Sequence, residues 1–351
     1  MDSLHAAGVQ EGAHLMAVVQ EAKVASSRTA FALWCYGGNQ VVAWGNPGAG
    51  SDCAAVQDQL RNVQQVQATA LAFAAILAHG SVVTWGNPFY GGDCSAFQDQ
   101  LRNVQQIHAA EYAFAAILAD GSVVAWGDPR TGGDCSSVQD QLTNVQQIQA
   151  TTCAFAAILA DGSVVTWGNP EEGGDCSGVE DQLRNVQQIQ ATAYGAFAAI
   201  LANGSVVAWG DRDRGGDCYA VQTHLQKVKQ IQATDEAFAA ILADGSVVAW
   251  GNSDRGGACS AVQDQLRNVQ QIQATTGAFA AILADGSVVT WGRPDYGGDC
   301  SAVQDQLWNV QQIQATHVAF AAILADGSVV TWGMPMCGGD CSALQDRLQY
   351  L

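Results

Sequence analysis

The segment AFAAILADGSVV occurs five times without a change, beginning at Ala113, Ala154, Ala237, Ala278 and Ala319. Near-copies begin at Ala72 and Ala196, with His79 or Asn203 in place of the Asp. Trp-Gly pairs keep the same beat, at Trp44, Trp85, Trp126, Trp167, Trp209, Trp250, Trp291 and Trp332, 41 residues apart with one spacing of 42. A fixed period of this length is the signature of a repeat architecture, because one small unit cannot bury its own apolar face. The 351-residue chain therefore divides into an N-terminal extension, 1–20, and one domain, 21–351. That domain holds eight units: 21–61, 62–102, 103–143, 144–184, 185–226, 227–267, 268–308 and 309–351. The first unit keeps the outline and loses much of the wording.

Within one unit, QQIQAT alternates and reads as a strand, AFAAIL as a strand buried on both faces, and SVVTWG as a β-branched, aromatic strand. Asp285-Gly286 between the second and third strands is a two-residue hairpin signal of the type I′ kind. A Pro/Gly loop follows. Then DCSAVQDQLRNV predicts a short helix, with Ser260 and Gln263 as a capping box and Val262, Leu266 and Val269 on one face. The expected fold is an all-β dominated β-propeller of about eight three-stranded blades, each followed by a short helix. Seven blades and an open β/α solenoid are the alternatives. Neither end of the array reads as a polar capping unit, which favours closure.

Composition removes several functions. The chain carries 14 Lys and Arg against 33 Asp and Glu, a formal net charge of −19. Nucleic acid and anionic membrane surfaces call for the opposite balance. No apolar run is long enough to span a bilayer, and no basic stretch precedes an apolar core at the N-terminus. The eleven Cys show no C-x-x-C spacing, so reduced cysteines in an intracellular protein are expected, in the cytoplasm before any organelle. Eight of them recur at one repeat position and read as buried small residues ahead of a helix. The Asp that usually precedes them reads as a helix-terminal residue rather than a calcium ligand. The six His fall at unrelated repeat positions without metal-ligand spacing. No nucleophile elbow or P-loop is present. No catalytic, metal or cofactor residue is assigned, and the repeated Trp reads as core.

The stretches DGSVVTWGRPDYGG and VQQIQATTGAFAAILADG resemble the tandem repeats of the regulator-of-chromosome-condensation propellers. The resemblance covers all eight units. It implies a propeller, and with it the functions found in that family: nucleotide exchange on a small GTPase, ultraviolet sensing, and substrate recognition within large ubiquitin ligases. This chain departs from the family in its shorter unit and in counting eight units where seven blades are usual. The Trp/Arg motif of the ultraviolet receptor is absent.

Differences between the copies concentrate in two places. The first lies before AFAAIL, where Glu111-Tyr112, Tyr194, Asp235-Glu236 and His317 stand. The second follows Trp-Gly, with Phe89-Tyr90, Arg130, Glu171-Glu172, Asp213-Arg214, Asp254-Arg255 and Asp295-Tyr296. Three antiparallel strands would carry both tips to one rim and the constant Asp-Gly turn to the other. Variable loops on a fixed scaffold are how repeat proteins build binding surfaces, and Tyr and Arg are frequent interface anchors. The expected function is a non-catalytic interaction scaffold whose rim binds a protein, the acidic balance favouring a basic one. Guanine-nucleotide exchange, by resemblance, and a structural subunit of a larger assembly are the alternatives.

Overall fold

The structure, a computed structural model, describes residues 22–35, 38 and 40–344. The N-terminal extension lies outside them, with His5 and His14. Eight three-stranded antiparallel sheets follow one another in order, each joined only to its own strands. They are propeller-type blades, spanning 22–45, 63–86, 104–127, 145–168, 186–210, 228–251, 269–292 and 310–333. No helix among the described residues is long and apolar enough to cross a membrane.

Blade 7 shows how the sequence makes the sheet. Its strands are Val269–Ala274, Ala278–Leu283 and Val288–Gly292. The middle strand is buried along nearly all its length, as its unbroken apolar run requires. In the first strand Val269 and Ile272 are both buried although they stand three apart. Simple alternation would put them on opposite faces. A bulge between Val269 and Gln271 shifts the register and brings both inward. The hairpin turn differs from the expected type I′. The loop has three residues: Gly286 N–H donates to Leu283 O (2.9 Å), and Leu283 N–H donates to Ser287 O (2.9 Å). Only Gly286 has positive φ, +78°, the pattern of a turn closed by a glycine bulge. Asp285 accepts from Ser287 N–H and Oγ instead, which holds its carboxyl below the usual range. A Cβ on Gly286 would also lie 2.8 Å from the Cα of Asn309 in the next blade.

The expected helix after each blade is absent: the described residues contain 3-10 turns and no α-helix. The i, i+4, i+7 pattern has another origin. Leu266 is fully buried in the seam between blades, while Val269 already belongs to the next strand. Asn268 between them takes φ +55°, where a right-handed helix cannot pass. The same left-handed Asn precedes each of the other first strands from blade 2 onward, except that Lys227 serves before blade 6. The proposed capping box dissolves as well. In the connector after blade 3, Asp134 accepts from Ser136 N–H (2.9 Å). Gln139 donates to Val123 O in the third strand (3.0 Å) and accepts from the Cys135 thiol (3.3 Å). Cys53, Cys218, Cys259 and Cys300 are likewise buried and donate to the Gln four residues on. Desolvation raises the thiols of these five donors, that of Cys218 to about 11.

Blades pack face to face. One face of each carries the Phe of the second strand and the Trp of the third; the other carries small residues and Ile. Blade 6 sets Ala237, Ala239 and Ile241 against Phe279, Ala281, Val289 and Trp291 of blade 7. Phe279 and Trp291 stack at 5.1 Å, and the Trp291 indole N–H donates to Gly256 O of the preceding blade at 3.0 Å. This bond recurs at every junction, from Trp85 to Trp332. The array is not sealed into a ring by its described residues. Phe31 and Trp44 of blade 1 are 44% and 45% exposed, and Ile323 of blade 8 is 40% exposed.

Trp291→Phe removes an indole and leaves a buried carbonyl unpaired, and is expected to cost about 2–4 kcal/mol. Trp44→Phe, half-exposed with no described blade against it, is expected to cost well under half as much. Urea unfolding of both variants checks this; equal losses would contradict it.

Candidate functional site

Both variable tips are built by constant residues. In most blades the second tip is a 3-10 turn opened by an Asn or Asp whose side chain accepts a backbone N–H, as Asn252 does from Asp254 N–H (3.0 Å). The turn closes on a glycine. Gly256 has φ +94°, and a Cβ there would meet the Phe279 ring of the next blade at 2.6 Å. The first tip is held by the Thr before it. Thr275 accepts from Ala278 N–H (3.0 Å) and donates to Tyr296 O of the second tip (2.9 Å). Thr69, Thr151, Thr234 and Thr316 make the same link to the second tip in their own blades. The two tips of a blade therefore meet on one edge.

Neighbouring blades are tied along that edge by main chain. Arg28 N–H donates to Ala70 O (3.2 Å), Ala70 N–H to Glu111 O (2.8 Å), Glu111 N–H to Thr152 O (2.9 Å) and Thr152 N–H to Ala193 O (2.8 Å). After the extra residue in blade 5, Tyr194 N–H donates to Asp235 O (3.0 Å), Asp235 N–H to Thr276 O (3.1 Å) and Thr276 N–H to His317 O (2.9 Å). Sequence variation at the first tip thus sits on a backbone fixed from blade to blade.

The side chains divide into two groups. Some reach each other. Tyr90 and Tyr112 lie 4.6 Å apart between centroids, across the blade 2–3 boundary. Glu111 faces Arg28 at 3.7 Å, two blades away. Glu172 accepts from Thr152 at 3.1 Å. Arg214 covers the Tyr194 ring at 5.4 Å, and Arg255 covers Tyr296 of the next blade at 5.2 Å. Glu236 accepts from Asn252 at 2.6 Å. Asp235 is half-buried near Arg255 and His317; burial pushes its carboxyl up, and Arg255 partly offsets this. The other group points outward: Phe89 is 81% exposed, and Arg130, Glu171 and Asp295 are exposed, while His317 is exposed beside the cleft described below. Arg130 holds Asp128 at 2.8 Å.

Sequence comparison of the units missed Arg28, Asp128 and Arg293. Arg293 lies over Tyr296 at 4.8 Å. A signal existed: the position directly after Trp-Gly is Asn in four blades, Asp in two, and Arg293 or Met334 in the last two.

Inside the rim, the ends of the first strands and the first tips of blades 4–8 line an open cleft of about 470 Å³, with Thr192, Thr234, Thr275, Asp235 and His317 among its residues. The Thr hydroxyls there serve the tips, as above. Among the described residues no group of three or more His, Cys, Asp or Glu is placed to hold a metal ion.

No family model and no curated protein matches the chain. Solved structures do. It is similar to Prp20p from Saccharomyces cerevisiae, reported with its binding to Gsp1p and histones (15% identity, 67% of this chain and 72% of that one, TM-score 0.41). It is similar to yeast RCC1 (Prp20) bound to Kap60 (14%, 82% and 87%, TM-score 0.42). A third is the Crinkly WD40 ectodomain of the Arabidopsis thaliana receptor kinase ACR4 (15%, 78% and 96%, TM-score 0.41).

The raised Asp235 carboxyl has a definite sign. A carboxyl whose folded pKa is raised costs nothing below the ordinary aspartate value; the loss of stability accumulates as pH rises from that value through the folded one and is complete above it. Asp235→Asn is therefore expected to be more stable than the natural chain at pH 7 and equal to it below the ordinary aspartate pKa. Thermal unfolding at both pH values tests this; a variant less stable at pH 7 would contradict it.

Proposed function

We propose that the chain is a non-catalytic interaction scaffold that binds a protein partner through the variable rim. The observation that carries this reading is the combination at the first tips. Side chains change from blade to blade, while the backbone beneath them is hydrogen-bonded to the next blade. Such a surface presents different chemistry at fixed spacing, which lowers the ordering cost of binding. The outward-pointing members supply an apolar anchor in Phe89 and carboxylates at Glu171 and Asp295, and the exposed Tyr194 beneath Arg214 adds an aromatic one.

The partner's docking face is basic in this reading. The chain's net charge is −19, and Asp213, Asp254 and Asp295 stand exposed at the same tip position in three consecutive blades. Complementary charge speeds encounter and makes binding salt-dependent.

The test replaces Phe89, Arg130, Glu171, Tyr194, Asp295 and His317 together by Ser, all exposed and outside the blade core. The natural chain and this variant are compared as baits in a native extract, with captured proteins quantified by mass spectrometry at low and moderate salt. The expected result is a partner with a basic surface, captured at least about tenfold less by the variant and less at higher salt. Equal capture by both baits would overturn the rim as the binding surface.

A further inference from the structure

The two ends of the array are the unjoined halves of a contact that the chain makes seven times internally. At each internal junction an aromatic face is covered by a small-residue face. The Phe residues there, from Phe73 to Phe320, are at most 1% exposed, and the Trp residues from Trp85 to Trp332 at most 4%. Blade 1 presents the same aromatic face with nothing described against it. Val24 is 56% exposed, Val42 54%, Phe31 44% and Trp44 45%. The face is nevertheless formed, because Phe31 and Trp44 stack at 5.4 Å and 19°, close to the internal pairs.

Blade 8 presents the opposite half. Its Ala319, Ala321 and Ile323 repeat, residue for residue, the Ala278, Ala280 and Ile282 of blade 7. Those blade 7 residues belong to the face that packs on Phe320 and Trp332. The glycines tell the same story independently. Gly297 at the blade 7 tip lies against Phe320 and accepts the Trp332 indole, and Gly286 presses on Asn309. Their counterparts Gly338 and Gly327 keep the positive φ, but among the described residues a Cβ on Gly338 would find only Thr316 at 4.0 Å, and one on Gly327 nothing within 4 Å. The backbone ladder likewise begins at Arg28 and ends at His317.

We propose that the small-residue face of blade 8 receives the aromatic face of blade 1 of a second copy of this chain, head to tail, as an eighth instance of the internal junction. Phe31 and Trp44 would then sit where Phe320 and Trp332 sit on blade 7, and the Trp44 indole would donate to Gly338 O. Two positions of the middle strand are reworked: Leu33 and Cys35 stand where Ala281 and Leu283 stand in blade 7, exchanging the large and the small residue along the same face. Because the contact joins unlike surfaces, each added copy leaves one of each kind open, so assembly continues rather than stopping at a pair. This surface is separate from the rim, and its occupation does not require the rim to bind anything.

The test uses two exposed single variants of the full chain, Trp44→Glu and Ile323→Glu, in sedimentation velocity across the micromolar range. The natural chain is expected to grow in mass with concentration beyond a dimer, and each variant alone to remain a monomer. An equimolar mixture of the two is expected to form a dimer and go no further, since only one compatible pair of faces is left; that dimer also shows that both variants are folded. A natural chain that stays monomeric, variants that assemble as it does, or a mixture without a dimer would each overturn the proposal.

Discussion

The structure depends on one contact repeated between blades: the stacked Phe and Trp of one blade, seated on the small residues of the blade before, with the indole N–H on that blade's tip carbonyl. One repeat unit cannot bury its own apolar face and relies on its neighbours to do so. Covering its aromatic face changes this, since burying a Phe or Trp is worth about 3–5 kcal/mol by truncation. The hydrogen bond adds direction. It fixes how far and at what angle the next blade can sit, so all seven junctions share nearly one geometry, with indole–carbonyl distances of 3.0–3.1 Å. Identical geometry then selects identical residues, and AFAAIL hardly varies because every copy meets the same neighbour.

The same contact prepares the variable rim. The carbonyl that the indole holds belongs to the glycine closing the second tip, and the Phe beneath it leaves no room for a side chain there. The tip is therefore anchored by the core of the next blade, while its outward residues are unconstrained. Thr275 and its counterparts tie the first tip to the second, and the main-chain ladder ties it to the next blade. Constancy inside and variety at the edge arise from one arrangement.

Much of this was legible in the sequence, because it follows from period and burial. The 41-residue beat of Trp-Gly located the blades, and the unbroken apolar run located the middle strands. The convergence of both variable positions on one edge followed from three antiparallel strands. What escaped depended on local geometry that composition does not encode. The bulge between Val269 and Gln271 hides the alternation of the first strand. Leu266 and Val269 imitate a helical stripe although a left-handed Asn268 separates them. Asp285-Gly286 matches a two-residue turn, yet the Asp serves Ser287 rather than adopting positive φ. The partners within the rim, such as Arg255 over Tyr296 and Arg28 beside Glu111, join residues of different blades, and no spacing rule within one unit reveals them.

If the junctions carry the stability, protection should follow the number of covered faces. Amide hydrogen exchange followed by mass spectrometry, at a concentration where the chain is monomeric, measures this directly. Peptides from blades 3–6, covered on both sides and including the ladder amides of Glu111, Thr152 and Asp235, are expected to exchange slowest and together. Those of blades 1 and 8, each covered on one side, should exchange well before them. Equal protection along all eight blades would contradict the account, because stability would then reside within each blade rather than between them.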